Sequence, residues 1–233
     1  MNSQMRILAI DTALPAVSVC VLDDGAAEPI AVESIAMEKG HSEALLSMVQ
    51  RIIAKVEKGF DSITRVAVTV GPGSFTGIRI GVAAARGIAL AKGVEAVGVS
   101  TLAAFAAPLL ALDSEGIVAA AIDARHGHVF FSAYGPGGRV LTSPRILPVK
   151  DACRLLGGGR VRAVGSGARL LRDEVATFGG DISLVNGSAA PDIVSVARLG
   201  FVAAPENAPA RPIYIKAPDA SPNLGRSPSL AVG

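Results

Sequence analysis

An apolar run ending in Ala-Ile-Asp occurs twice in this chain, at Ala9-Ile10-Asp11 and at Ala121-Ile122-Asp123. Each copy is followed by a further apolar run of strand character, Ala16 to Leu22 after the first and Val129 to Tyr134 after the second. A chain that repeats its opening strand pair is expected to fold as a duplication, with an acid at the carboxyl end of each first strand.

The segments between and after the copies fill out that expectation. Arg6 to Asp11, Ala16 to Leu22 and Ile30 to Ala36 are three strands joined by the short turns Thr12-Ala13-Leu14-Pro15 and Asp23-Asp24-Gly25, so they must form an antiparallel meander. From Gly40 to Lys58 the apolar positions Ala44, Leu45, Met48, Val49, Ile52, Ile53 and Val56 recur at helical spacing, with Ser42 and Glu43 at the start. A strand at Val66 to Val70, a helix at Thr76 to Lys92, a strand at Glu95 to Val99 and a helix at Ser100 to Leu112 complete β-β-β-α-β-α-β-α. The second pass is shorter: strands Ile117 to Asp123, Val129 to Tyr134 and Arg139 to Leu141, a helix at Lys150 to Leu156, a strand at Val161 to Val164, and helices at Ala168 to Thr177 and Pro191 to Ala203, with Asp192 near the last start. The expected fold is α/β in two lobes, 1–112 and 113–216, with a Pro/Ser-rich disordered tail at 217–233.

The first helix after a βα turn carries the least ordinary stretch, Gly71-Pro72-Gly73-Ser74-Phe75-Thr76-Gly77-Ile78-Arg79-Ile80-Gly81. It lacks the Lys of a GxxxxGK[ST] loop and the glycine spacing of GxGxxG. Ser74 or Thr76 can cap the helix, and the turn either does only that or presents its N–H groups to an anion or a partner's carboxylate. Gly77, Gly81, Ala85, Ala89 and Gly93 then recur every four residues. That bare flank either packs on the protein's own sheet or meets another helix.

Composition narrows the functions. Half of the residues are hydrophobic, 18% are charged, aromatics are 4% and Trp is absent, so the chain has a sizeable core and little material for stacking single-stranded bases. The net charge is +2 and basic residues are scattered. Cys20 and Cys153 stand alone in apolar settings, which suits a reduced compartment. No signal pattern opens the chain, and Arg86 or Pro108 interrupts its longest apolar stretches, so a cytoplasmic protein that does not enter the membrane is expected.

The order of elements, with an acid ending each first strand, resembles the actin, sugar kinase and Hsp70 superfamily (ASKHA). Ala9-Ile10-Asp11-Thr12, Gly40-His41-Ser42-Glu43, the whole of Gly71 to Gly81, Gly98-Val99-Ser100-Thr101-Leu102, Ile122-Asp123-Ala124-Arg125 and Pro212-Ile213-Tyr214-Ile215-Lys216 are together similar to the TsaB/YeaZ family, from about Met5 to Lys216. Lys216, where the family more often has Arg, and the tail depart from its pattern. The resemblance implies a non-catalytic pseudo-enzyme partner of a homologous TsaD-type subunit, which transfers threonylcarbamoyl from its adenylate to tRNA adenosine, together with a TsaE-type ATPase. It implies a homodimer when alone, contact with tRNA only through the complex, no cofactor of its own, and ATP at a site shared in the complex. The catalytic relative's HxxxH metal helix aligns with Thr101 and Phe105, and neither replaces imidazole. The interface expected from the resemblance uses His41, Leu45, Met48 and Ile52 of the first helix with Gly77, Gly81 and Ala85 of the second.

The rival reading is a small-molecule kinase or ATPase, with Asp11, Thr12, Gly73, Ser74 and Thr76 as phosphate-facing loops. It needs a second phosphate loop, for which Gly157-Gly158-Gly159 and Gly165-Ser166-Gly167 are the candidates. A carboxylate pair of Asp11 and Asp123 across a cleft is set against each acid capping its own turn. A metallopeptidase would need HExxH or HxxxH, and the sequence has neither. His126 and His128, one residue apart, are expected on one strand face, as an edge or a minimal metal pair.

Overall fold

The computed structural model describes residues 5–112, 115–157, 159–177, 179–185 and 189–215; Lys216, the expected tail at 217–233 and Gly158 of the glycine run lie outside them. The first half runs β1 (Arg6–Asp11), β2 (Ala16–Asp23), β3 (Ala31–Ala36), α1 (His41–Ile53), β4 (Arg65–Gly71), α2 (Phe75–Lys92), β5 (Glu95–Ser100) and α3 (Thr101–Leu112). The second runs β6 (Ile117–Asp123), β7 (His128–Tyr134), β8 (Val140–Pro148), α4 (Val149–Arg154), β9 (Val161–Val164), α5 (Ala168–Ala176), β10 (Ser183–Leu184) and α6 (Ile193–Val202). The two halves thus have the same order of elements.

Their sheets match as well. The first is ordered β3-β2-β1-β4-β5; the second, β10-β9-β6-β7-β8, is the same order read from its other edge. In each, the opening strand pairs antiparallel with the next and parallel with the fourth, Ile10 facing Val19 and Val68, and Ala120 facing Ser132 and Val164. β1, β2 and β4 are buried along nearly their whole length because helices cover both faces, which is why they read as continuous apolar runs without alternation.

α1 and α2 pack on one face of the first sheet. Its other face is covered by α6, whose Ile193, Val196 and Ala197 meet Ile7, Ala9 and Ala67. α3 leaves the first sheet and lies on β6 and β7 of the second. Each half therefore lends its last helix to the other, so residues 193–202 belong structurally with the first sheet although they follow the second in sequence. An arginine fixes each exchanged helix at its C-terminal end, where carbonyls lack intrahelical partners. Arg65 donates to the carbonyls of Gly200, Phe201 and Ala203 at 3.1–3.2 Å, and Arg162 donates to Leu109 O and Glu115 O at 3.1 and 3.2 Å.

Three elements differ from expectation. α1 ends at Ile53, and the chain then enters a 3-10 turn, Gly59–Ser62, through Lys58 and Gly59 at positive φ. β8 is nine residues long where only Arg139 to Leu141 reads as strand, because Pro144 sits in a register shift and Pro148 at the strand end of an edge strand, the places where a sheet tolerates proline. β10 has two residues, too short for any periodic signal.

Candidate functional site

The carboxyl ends of β1, β4 and β6 face a common cleft of about 460 Å³. Ala13, Gly73, Ser74 and Phe75 line it from the first half, with Glu38 and His41 at the head of α1. Asp123, Ala124, Arg125 and Phe130 line it from the second, and Ile213, Tyr214 and Ile215 form a strap across one end. The strap returns from α6 to the first sheet, where Gly98 N donates to Ala208 O and Ile213 N to Val70 O, each at 2.8 Å.

Asp11 does not reach this cleft. Its carboxyl group is fully buried; Oδ1 accepts from Ala13 N at 3.0 Å and from the Thr69 hydroxyl, while Oδ2 has no partner. Burial pushes the carboxyl above the ordinary carboxylate range, and the hydrogen bonds from Thr69 and Ala13 only partly oppose that shift. Asp123 makes the same turn in the exposed copy, accepting from Arg125 N at 2.7 Å. Both acids are turn caps, and the structure does not bring them together as a carboxylate pair.

The glycines of the long motif serve chain crossing. A Cβ on Gly73 or Gly77 would overlap the backbone carbonyl oxygen of Ala13 or Thr12, and one on Gly81 would lie 2.5 Å from Thr12 Oγ1. Only hydrogen fits there. Thr12, itself buried, donates its hydroxyl to Gly77 O at 2.7 Å and so pins α2 beneath the β1–β2 turn. Ser74 caps α2 by accepting from Gly77 N at 3.3 Å, whereas Thr76 is exposed on the helix exterior. In the second half a Cβ on Gly165 would overlap Ala121 O and one on Gly167 would crowd Val129 and the Ile122 backbone, so these glycines too serve chain crossing, whereas a Cβ on Gly157 or Gly159 would meet nothing within 4 Å. Of the expected phosphate-facing set, Gly73 and Ser74 line the cleft and Asp11, Thr12 and Thr76 do not.

The expected interface residues are likewise placed inward. Leu45, Met48 and Ile52 are buried in the core together with Ala85, and Gly77 and Gly81 are buried against β1–β2 and Val68. An apolar or bare stripe at helical spacing here packs on its own sheet, which removes the larger share of hydrophobic surface from water. His41 is half-buried, and its Nε2 lies 3.1 Å from Leu14 O; since a carbonyl only accepts, Nε2 carries the proton and the ring staples α1 to the β1–β2 turn. What α1 and α2 turn outward is Leu46, Ala83, Gly87 and Leu90, the last 85% exposed, with Arg79 and Arg86 beside them. The missed signal is their position opposite the apolar stripe.

Thr101 and Phe105 are buried on α3. A hydroxyl and a phenyl ring do not fit a metal, and no three His, Cys, Asp or Glu side chains converge on one point among the described residues. The histidine pair is not on one strand face. Arg125, His126 and Gly127 form a turn with three successive positive φ values, and His128 Nδ1 is 2.9 Å from His126 O, so that nitrogen is engaged with the backbone. Among the described residues no helix is long and apolar enough to cross a membrane.

Duplicated sheets of one strand order, exchanged terminal helices and a cleft at the carboxyl ends of the strands define a two-lobed α/β protein built from a repeated βββαβαβα unit. Comparison with known proteins refines that class. Residues 34–155 match the family model described as TsaD, tRNA N6-adenosine threonylcarbamoyltransferase. The Escherichia coli (strain K12) tRNA threonylcarbamoyladenosine biosynthesis protein TsaB is 40% identical over 130 residues, 56% of this chain and 55% of that protein. A structure titled YeaZ from Pseudomonas aeruginosa superposes with a TM-score of 0.73 at 26% identity, covering 90% of this chain and 99% of that one. An uncharacterized Mycobacterium tuberculosis protein is 29% identical over 216 residues, 93% of this chain and 94% of its own length. The chain belongs to the TsaB/YeaZ family. The match spans about half the length of the curated TsaB relatives, 55% of the E. coli protein and 53% of the Haemophilus influenzae one.

Proposed function

We propose that this chain is the non-catalytic subunit of a tRNA threonylcarbamoyladenosine machinery. It docks beside a TsaD-type subunit that moves threonylcarbamoyl from its adenylate to N6 of the tRNA adenosine beside the anticodon, with a TsaE-type ATPase as a further component and tRNA held only by the complex. Beyond family membership, the observation that carries the reading is Asp11. In kinases of this architecture the acid ending the first strand faces the phosphates, whereas here it is buried and capped by Thr69 and Ala13. The close chain crossing at Gly73, Gly77 and Gly165 and the buried Thr101 and Phe105 support the same conclusion over the kinase alternative. ATP then belongs to a site completed by the partner.

The docking face in this reading is the outer side of α1 and α2, around Leu46, Ala83, Gly87 and Leu90, and the same face would serve a homodimer when the chain is alone. Ala83→Trp adds bulk to that face without entering the core. It is expected to abolish co-purification with the TsaD-type subunit while circular dichroism stays unchanged; a folded variant that still binds its partner would refute this placement.

A further inference from the structure

Arg79 is built differently from the ion-paired cations Arg51 and Lys92 of the first half. Arg51 is paired with Glu33 at 2.5 Å and Lys92 with Asp61 at 2.5 Å. Arg79 has no acidic partner among the described residues, yet it is held in place. Its guanidinium carbon lies 3.7 Å from the centroid of the Phe75 ring, one helical turn back, and 5.7 Å from that of Tyr214. Its Nε donates to the Tyr214 hydroxyl at 2.8 Å. The two rings are themselves in contact, with centroids 5.0 Å apart, so the strap and α2 clasp the guanidinium between them.

This geometry uses the flat face and the Nε edge and leaves the two Nη groups for something outside the chain. An arginine ordered in this way has already lost much of its rotamer freedom, and its fork matches the two oxygens of a carboxylate. Tyr214 and Ile213 beside it are 44% and 49% exposed, and Arg86, two turns along the same flank of α2, also lacks an acidic partner among the described residues. A partly exposed aromatic around a preorganised arginine is the composition of a protein-binding hot spot. A polyanion fits less well, because the adjoining cleft sets two acids, Glu38 and Asp123, against one cation, Arg125, an excess of negative charge that opposes a phosphate backbone.

We propose that Arg79, positioned by Phe75 and Tyr214, is the residue that captures a carboxylate of the protein partner docked on the outer face of α2. The proposal rests on the partner reading above and adds the chemistry that the partner must present, an Asp or Glu opposite the first two turns of α2. It also gives the strap a role, since Tyr214 orders the guanidinium that the partner meets.

The test measures the affinity of the full chain for the TsaD-type subunit of the same organism, by calorimetry at low and high salt, for the native chain and for Arg79→Gln, Arg79→Lys, Tyr214→Phe and Ala83→Trp. A hydrogen-bonded ion pair at an interface predicts that Arg79→Gln weakens binding about 10- to 100-fold and flattens its salt dependence. Arg79→Lys, which keeps the charge and loses the fork, should fall between Gln and native, and Tyr214→Phe should lose less than Arg79→Gln. Native affinity and salt slope in a folded Arg79→Gln, with Ala83→Trp still abolishing binding, would overturn the arginine proposal and leave the partner reading standing. Failure of the native chain to bind would overturn both. If Arg79→Gln instead weakened retention of tRNA by the lone chain and spared protein association, the ligand would be phosphate and the carboxylate proposal would be wrong.

Discussion

Two glycines in α2 provide a matched pair with opposite expected effects. Gly→Ala in a helix interior gains about 0.5 to 1 kcal/mol from the restricted unfolded chain. At Gly87 a Cβ meets nothing within 4 Å, so Gly87→Ala keeps that gain. At Gly77 the same atom would overlap Thr12 O and sit 3.3 Å from the Thr12 carbonyl carbon, and backbone cannot rotate away as a side chain can. α2 would have to lift from the β1–β2 turn, lengthening the 2.7 Å bond from the Thr12 hydroxyl to Gly77 O. Overpacking costs about 1 to 3 kcal/mol and a weakened buried hydrogen bond about 0.5 to 1.5. Set against the helix gain, Gly77→Ala should lose roughly 0.5 to 4 kcal/mol. Urea unfolding followed by circular dichroism measures both variants, provided that the slope is unchanged. Gly87→Ala should move the midpoint up and Gly77→Ala down; a rise for both would show that α2 does not rest on the β1–β2 turn.

Asp11 should give a pH signature. Its folded carboxyl is raised above the ordinary 3.8, so the folded state keeps the proton longer than the unfolded chain, and the associated stability is present at acid pH and lost as pH rises through the folded value. The thermal midpoint of Asp11→Asn relative to native should therefore climb from pH 4 upward, and a flat or falling difference would mean that the acid is not held neutral. Burial pushes the Cys20 thiol up to about 12 and the half-buried Cys153 thiol to about 11, so alkylation at pH 8 should be slow in the folded chain, with Cys153 modified before Cys20. Rapid modification of Cys20 would contradict its burial under α6. Asp192 accepts from Val194 N and Ser195 N at 3.2 and 3.0 Å, and Asp192→Ala should cost about 0.5 to 2 kcal/mol in the same unfolding assay, whereas no change would deny the cap.

Most strands were legible because helices cover both sheet faces and the code for that burial is local: unbroken runs such as Val66 to Val70. The duplication was legible from its paired acids. What local patterns cannot carry is where a helix goes once formed. α6 reads as one more helix of the second lobe, and only the three-dimensional arrangement puts it on the first sheet, clamped by an arginine, Arg65, from a strand far upstream. Facing was misread for a related reason. Leu45, Met48 and Ile52, with Gly77, Gly81 and Ala85, are conspicuous because they repeat, and a repeating apolar or bare stripe satisfies the protein's own sheet first. The outward face is conspicuous only by contrast. The Phe75, Arg79 and Tyr214 clasp joins residues far apart in sequence and has no local signature beyond the motif that contains Arg79.

Reconstitution addresses the central claim most directly. The TsaD-type subunit, the TsaE-type ATPase, tRNA and threonylcarbamoyl adenylate are incubated with and without this chain, and threonylcarbamoyladenosine is counted in the tRNA. Modification that requires the chain, is abolished by Ala83→Trp and is retained by Asp11→Asn is the predicted result. Equal modification without the chain, or loss of modification on replacing Asp11 in a fully folded protein, would contradict a non-catalytic subunit acting through the outer face of α1 and α2.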